Sequence, residues 1–169
     1  MKIIEGLKQI KDLQRKAEDL RTKISKFSAY LSYETPMYVD QKEQVSLWLQ
    51  SHSDILKEIL RLRIAIQKTN LSTVVTIDIG GTSVTKSIAE WIHRRRDLAD
   101  LGCQSWKMLT DKGLKEGIAT DTQGEKREVK IIRCYEPSLK DKYIELFTTE
   151  PTTIDSRLET VNAVTDLIE

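Results

Sequence analysis

The first thirty residues repeat apolar side chains with the spacing of a helix that packs along its whole length. Two apolar series, each with a seven-residue period and offset by three positions, form this repeat: Ile3, Ile10, Ala17, Ile24 and Leu31, and Gly6, Leu13, Leu20 and Phe27. This is the a/d pattern of a helix that lies against another helix. It predicts one long helix over residues 2–31 and a protein whose main structural task is to pack helices.

A second helix follows after a short break. Pro36 disfavours helical dihedrals in the residue before it, and Asp40 with Glu43 three positions later has the spacing of a capping box. From there the a/d spacing continues through Val45, Trp48, Ile55, Ile59, Leu62 and Ile66, with Leu49 and Leu56 widening the stripe. The pattern predicts an antiparallel helical hairpin over residues 1–70, whose second helix ends near Asn70, a residue that tolerates the left-handed conformation of a helix C-terminus.

The rest of the chain predicts a small β element and more helix. Residues 71–82 contain a β-branched run and a Gly-Gly turn, and a third helix is expected over residues 83–110, capped by Thr82 or Ser83. Residues 111–169 are expected to form a loop to about residue 126, a strand, and two short helices opened by Pro137 and Pro151. The predicted fold is therefore mainly α (α+β), a single domain over residues 1–169, in which the strand at 73–79 joins the C-terminal region.

Composition argues against several functional classes. The net charge is only +1, which gives no global field to attract nucleic acid or an anionic membrane, and residues 121–169 carry the acidic excess. Cys103 and Cys134 have no metal-ligand spacing, so they are expected to be buried free thiols in a reducing compartment. Apolar runs are too short to span a bilayer. We expect a cytoplasmic protein with no cofactor.

Several segments follow one another in an order that a known family shares. They are the two heptad helices, the helix ending Lys68-Thr69-Asn70, the run Gly81-Thr82-Ser83-Val84-Thr85-Lys86-Ser87-Ile88-Ala89-Glu90, and Asp155-Ser156-Arg157-Leu158 followed by Asn162 and Thr165. In this order they resemble the septicolysin-like family of small bacterial and phage proteins. Residues 103–150 match poorly. The family has no established activity or active-site residues, so the resemblance implies a fold and not a reaction.

One hexapeptide suggests nucleotide chemistry. The run Ile77-Asp78-Ile79-Gly80-Gly81-Thr82 is similar to the first phosphate loop of sugar kinases of the actin-like ATPase fold. In those kinases the Gly turn joins two strands of a large sheet, whereas here a helix is expected directly after the turn. We therefore interpret the hexapeptide as a structural turn followed by a helix cap.

The best candidate for binding an anion is a cluster of three arginines and two tryptophans: Trp91, Arg94, Arg95, Arg96 and Trp106. A guanidinium group beside an indole can bind a phosphate and stack on a base. Consecutive residues fan around a helix, so at most two of the arginines share a face with a tryptophan. The alternative is that the arginines are solvated or pair with Asp97, Asp100 or carboxylates of residues 121–169.

Catalytic signatures are absent from the sequence, and an enzyme is not expected. The heptad stripe on residues 3–31 is longer than one partner helix requires, and Leu7 adds apolar surface. The sequence therefore favours a non-enzymatic oligomeric interaction or scaffold protein that pairs with itself, with no nucleic-acid or membrane partner. The alternative is an oligomeric binding protein that sequesters a small anionic ligand such as a nucleotide at the arginine cluster.

Overall fold

The chain is mainly helical, with two small two-stranded sheets, in a computed structural model that describes residues 1–168. This confirms the predicted class of a mainly α protein with small β elements. The elements in chain order are α1 (Ile3–Phe27), α2 (Gln41–Ser72), β1 (Val74–Ile79), β2 (Thr82–Ser87), α3 (Ile88–His93), a π-helical turn (Arg94–Leu98), α4 (Ala99–Lys107), β3 (Gly117–Thr120), β4 (Lys126–Val129) and α5 (Pro137–Val164).

The chain divides into two compact units. The first unit comprises Met1–Val74, Ser87–Ala89 and the residues from Leu158 onward. The second comprises Val75–Lys86 and Glu90–Arg157.

The first unit is built on the contact between α1 and α2. Ile10 of α1 packs with Ile59 and Leu62 of α2. Near the other end of α1, the Phe27 ring lies 5.7 Å from the Trp48 ring. The inward residues of α1 are those of the predicted heptad, which is why a seven-residue repeat locates this helix face correctly.

Helix α1 ends four residues earlier than predicted. The backbone carbonyl of Phe27 accepts a hydrogen bond from the Gln41 side chain at 2.9 Å, which satisfies one carbonyl of the last turn. Leu31 lies beyond the helix and is exposed, so the last member of the heptad series contributes nothing to the stripe. The Asp40 cap is confirmed, since its carboxylate accepts from the Glu43 backbone N–H at 2.8 Å.

The C-terminal end of α2 differs from its prediction. The helix continues through Asn70 to Ser72, and among the described non-glycine residues only Lys112 has positive φ. Thr73, in an extended conformation, closes the helix by donating its backbone N–H to the Thr69 carbonyl. The left-handed ending predicted at Asn70 is therefore wrong.

The C-terminal segment pairs with the N-terminus and not with β1. The Ile3 backbone N–H donates to the Thr165 carbonyl at 3.0 Å, and the Leu167 N–H donates to the Met1 carbonyl at 2.8 Å. Lys2 adds an ion pair to Asp166 at 2.7 Å, and this cation holds the pKa of the Asp166 carboxyl below its ordinary value. Strand β1 instead pairs with β2, so the predicted pairing of the 73–79 strand with the C-terminal region is wrong.

A hairpin begins the second unit where a helix was expected. Gly80 and Gly81 have φ of 58° and 81°, the positive values that a two-residue turn between strands requires. The hydroxyls of Thr76 and Thr85 lie 2.7 Å apart across the two strands. Thr82 and Ser83 therefore open β2 instead of capping a helix, and the third helical segment starts at Ile88.

Two further predictions for residues 111–169 are corrected. Strand β4 covers only the first four residues of the strand predicted over residues 126–135, and it pairs antiparallel with β3, which lies in a segment expected to be loop. A single helix, α5, runs from Pro137 to Val164 with Pro151 inside it, where two short helices were expected. Pro151 removes one backbone donor, and packing on both sides of it holds the helix: Glu150 and Ile154 are both buried.

Candidate functional site

Trp91 of the predicted anion site is a core residue. Its side chain is 1% exposed, and the indole N–H donates to the Val75 backbone carbonyl at 2.9 Å. The β-branched run of β1 places Val75 and Ile77 on the buried face of the strand, next to this indole donor. Trp91 therefore stabilises the second unit and presents no surface to a ligand.

Arg94 forms an ion pair within the chain. Its guanidinium group forms a two-point pair with the Glu150 carboxylate, in which Nη2 donates to Oε2 at 3.0 Å. The Glu150 side chain is only 3% exposed, whereas the Arg94 side chain is 31% exposed. The guanidinium carbon also lies 5.2 Å from the centre of the Phe147 ring, within reach of a cation–π interaction.

The remaining members of the cluster have separate partners. Arg95 pairs with the exposed Asp155, and Arg96 lies 3.0 Å from the His93 ring nitrogen Nδ1. Trp106 stacks on Tyr143, with ring centres 4.3 Å apart. Arg94 and Arg95 thus bind carboxylates of residues 121–169, as the alternative interpretation of the cluster states.

The hexapeptide at Ile77–Thr82 does join two strands, as it does in the sugar kinases. The helix expected directly after the turn is absent, because β2 begins there. That helix was the argument against a phosphate loop, and the argument therefore does not hold. Within the described residues, however, the sheet has only two strands. A β-carbon at Gly80 would also overlap the Leu146 side chain. The positive φ favours glycine at Gly80, and a β-carbon there would require the end of the Leu146 side chain to move.

A polar cluster that the sequence analysis missed lies in the second unit. Arg133 donates to both carboxylate oxygens of Asp111, at 2.8 and 2.6 Å, and the Tyr135 hydroxyl donates to the same carboxylate at 3.1 Å. Asp111 begins a tight turn in which Lys112 and Gly113 both have positive φ. No sequence motif indicates this cluster, because Arg133 and Tyr135 lie 22 and 24 residues after Asp111 and only the fold brings them together.

The cluster forms one side of a cavity of about 290 Å³ between residues 108–114 and 131–135. Cys134 also lines this cavity and is exposed, so the prediction of two buried thiols holds only for Cys103. The Asp111 carboxylate accepts hydrogen bonds from two nitrogen atoms of Arg133 and so holds the two loop segments together. We call this pair the Asp111 clamp.

The Asp111 clamp predicts a measurable titration. Hydrogen bonds from Arg133 hold the pKa of the Asp111 carboxyl below its ordinary value, which is about 3.9 in an unfolded chain. Because the folded pKa is the lower one, the clamp stabilises the protein above about pH 3.9, and this stabilisation is lost as the pH falls through the folded pKa. In Arg133→Met, a carbon-13 NMR titration should show the Asp111 pKa rising toward its ordinary value. The same pKa in both proteins would contradict the clamp.

A different surface is exposed and apolar. We define the outer stripe as five exposed aliphatic residues on one face of α2, each between 43% and 67% exposed: Leu49, Leu56, Leu60, Ile64 and Leu71. At 1.5 Å per residue they extend over about 33 Å of helix. At about 100° per residue all five lie within about 40° of Leu60, so they share one face. The residues of α2 that pack on α1, such as Ile59 and Leu62, lie on another face.

The described residues contain neither a membrane-spanning helix nor a metal cluster. None of the helices within residues 1–168 is long and apolar enough to cross a bilayer. Over the same residues, no three His, Cys, Asp or Glu side chains lie close enough together to share a metal ion.

Comparison with known proteins supports the fold and leaves the activity open. No protein-family model matches the chain, and no curated protein matches it significantly in sequence. The chain is similar to a crystal structure of a functionally unknown conserved protein from Corynebacterium diphtheriae, with a TM-score of 0.56 and 18% identity over 99% of both chains. At that identity the likeness shows a shared fold alone. The resemblance to the septicolysin-like family stays a prediction.

Proposed function

We propose that the protein is a non-enzymatic oligomeric interaction protein that assembles with itself through α2. The observation that carries the proposal is the outer stripe. A helix in a soluble protein normally hides its apolar stripe against the core and exposes a polar face. Helix α2 has a buried apolar face and, on a second face, five large aliphatic side chains that remain exposed.

The surface proposed here differs from the one that the sequence favoured. The heptad residues of α1 are turned toward α2, where Ile10 is buried with Ile59 and Leu62. They are therefore occupied within one chain. The outer stripe is the longer exposed apolar series, although Ile4 and Leu7 of α1 are also 45% and 41% exposed. The sequence pattern indicated this stripe only as a widening at Leu49 and Leu56.

The polar clusters support a non-enzymatic role because their charged groups are matched with each other. Arg94 is bound to Glu150, and Arg133 is bound to Asp111. A phosphorylated ligand at the arginine cluster would have to displace the carboxylates that hold Arg94 and Arg95. We therefore place the anion-binding alternative second.

The mass in solution tests the proposal. At micromolar concentration, light scattering coupled to gel filtration should give at least twice the 19.5 kDa of one chain. Leu60→Asp should shift the protein toward the monomer, because an interface cannot bury an unpaired carboxylate without a cost of several kcal/mol. Leu60 is 61% exposed, so the substitution leaves the fold of each chain intact.

Leu47→Asp is the matched control. Leu47 is 54% exposed on the same helix, but at about 100° per residue it lies roughly 140° around the helix from Leu60. Its substitution should leave the mass unchanged. A wild-type protein that is monomeric at these concentrations would refute the proposed function.

A further inference from the structure

The spacing within the outer stripe is the same when read from either end. From Leu49 to Leu71 the steps are seven, four, four and seven residues, so that Leu60 stands at the centre. Leu56 and Ile64 lie four residues to either side of Leu60, and Leu49 and Leu71 lie eleven to either side. The polar positions within the stripe, Ser53 and Gln67, are also equidistant from Leu60, and both are exposed.

A palindromic stripe can meet a second copy of itself with every apolar position matched in the antiparallel direction. In a contact with two-fold symmetry, if residue i touches residue j of the partner, then j touches i. When the two-fold axis passes through Leu60 of two antiparallel helices, each apolar residue of the outer stripe is level with an apolar residue of the partner subunit. We propose that two copies pair antiparallel through α2, with Leu60 against Leu60 of the partner subunit on the axis; this inference rests on the proposed function.

The lateral positions of the side chains agree with this pairing. Leu56 lies about 40° to one side of Leu60 and Ile64 about 40° to the other, at 100° per residue. When Leu56 of one copy is level with Ile64 of the partner subunit, the two side chains therefore lie side by side in one layer. Ser53 falls level with Gln67 of the partner subunit, where a hydroxyl and an amide can hydrogen-bond and fix the register.

The apolar area of the outer stripe is smaller than that of a standard interface. The exposed parts of the five side chains amount to roughly 500 Å² per copy, against about 800 Å² per partner in a standard stable interface. The aliphatic stems of neighbouring lysine and arginine side chains add to this area. Lys57 and Arg61 lie beside Leu60, and each is paired on its own helix, with Asp54 at 3.0 Å and with Glu58 at 2.7 Å. These two cations are thus paired before a second copy binds, whereas Arg63, about 60° from Leu60 on the other side of the stripe, is exposed.

The register predicts which cysteines can form a disulfide between copies. Helices packed about 9 Å apart bring facing Cα atoms to roughly 4–5 Å, near the Cα separation of a disulfide. Two Leu60→Cys chains should therefore cross-link under mild oxidation. Two Leu56→Cys chains should not, because their positions are eight residues, or about 12 Å, apart along the helices. A mixture of Leu56→Cys and Ile64→Cys should again cross-link.

The experiment uses the full chain carrying Cys134→Ser, since Cys134 is exposed, and retains the buried Cys103. Non-reducing gels should show most of the Leu60→Cys protein as a covalent dimer and at least a tenfold lower yield for Leu56→Cys alone. Self-cross-linking of Leu56→Cys at the yield of Leu60→Cys would indicate parallel pairing and overturn the inference. A stable dimer by light scattering in which Leu60→Cys fails to cross-link would overturn this register and leave the proposed function standing. A monomer would overturn both.

Discussion

Arg94→Met is expected to lower the free energy of unfolding by about 3 kcal/mol, since removing one partner of a buried ion pair leaves an uncompensated charge. The charge in question is the Glu150 carboxylate, whose side chain is 3% exposed. Methionine keeps an unbranched apolar stem of similar length while removing both guanidinium hydrogen bonds and the cation–π contact with Phe147. Urea denaturation followed by circular dichroism measures the change.

Arg95→Met is the matched control for this prediction. Arg95 is the next residue on the same π-helical turn, and its partner Asp155 is 59% exposed. An exposed ion pair contributes roughly 0–1 kcal/mol, so the control should change stability by no more than that. Replacing both members of the buried pair, in Arg94→Met with Glu150→Leu, should recover part of the loss because no buried charge remains. Equal effects of the two single arginine substitutions would show that burial of Glu150 is irrelevant.

Trp91→Ala is expected to lower the free energy of unfolding by about 3–5 kcal/mol, the range found when a buried tryptophan is truncated to alanine. The side chain is 1% exposed, so its removal leaves a cavity in the second unit. The same substitution deprives the Val75 carbonyl of its indole donor. Thermal and urea denaturation monitored by circular dichroism, which does not depend on tryptophan fluorescence, measure the loss.

Trp91→Phe separates the two contributions at this position. Phenylalanine fills much of the space and cannot donate to Val75, so the expected loss is about 1–3 kcal/mol, the cost of an unsatisfied buried acceptor. A Trp91→Ala protein as stable as the wild type would contradict the core position of Trp91 and would reopen its role in a ligand site.

Local patterns predicted the parts of the fold that depend on local physics. The heptad of α1 and the Asp40 cap are set by residues a few positions apart, and the structure confirms the inward face of Ile3–Phe27 and the cap. The hairpin signal at Gly80-Gly81 was also local, yet Thr82 and Ser83 were assigned to a helix cap. Threonine and serine are common both at helix caps and in strands. The positive φ of both glycines, which forms a tight turn between two strands, decides for the strand here.

Features that depend on distant contacts could not be predicted. Pro151 signals a helix break, and the residue before a proline is disfavoured in the helical region. That residue is Glu150, whose carboxylate is held by Arg94, 56 positions earlier in the chain. A tertiary ion pair thus helps the helix continue past its proline, and no local pattern could have indicated it.

The partners of the candidate anion-site residues could not be predicted for the same reason. A run of three arginines near two tryptophans has the composition of an anion site, but which carboxylates lie opposite is a property of the fold. The outer stripe shows the converse case. All five of its residues are visible in the sequence, but only exposure distinguishes them from the core residues of the same helix.

The π-helical turn at Arg94–Leu98 sets the phase of the helical segment around it. In an uninterrupted α-helix, Ala99 would point about 80° away from Trp91, and Cys103 about 120° away, at 100° per residue. A π turn accommodates one extra residue, and subtracting its rotation of about 100° brings all three side chains within about 20° of one direction. All three are in fact buried. The extra residue in the turn that contains the arginines therefore aligns the two apolar halves of this helical segment. The length of the arginine run matters to the core, even where the solvent-facing charges of Arg95 and Arg96 do not.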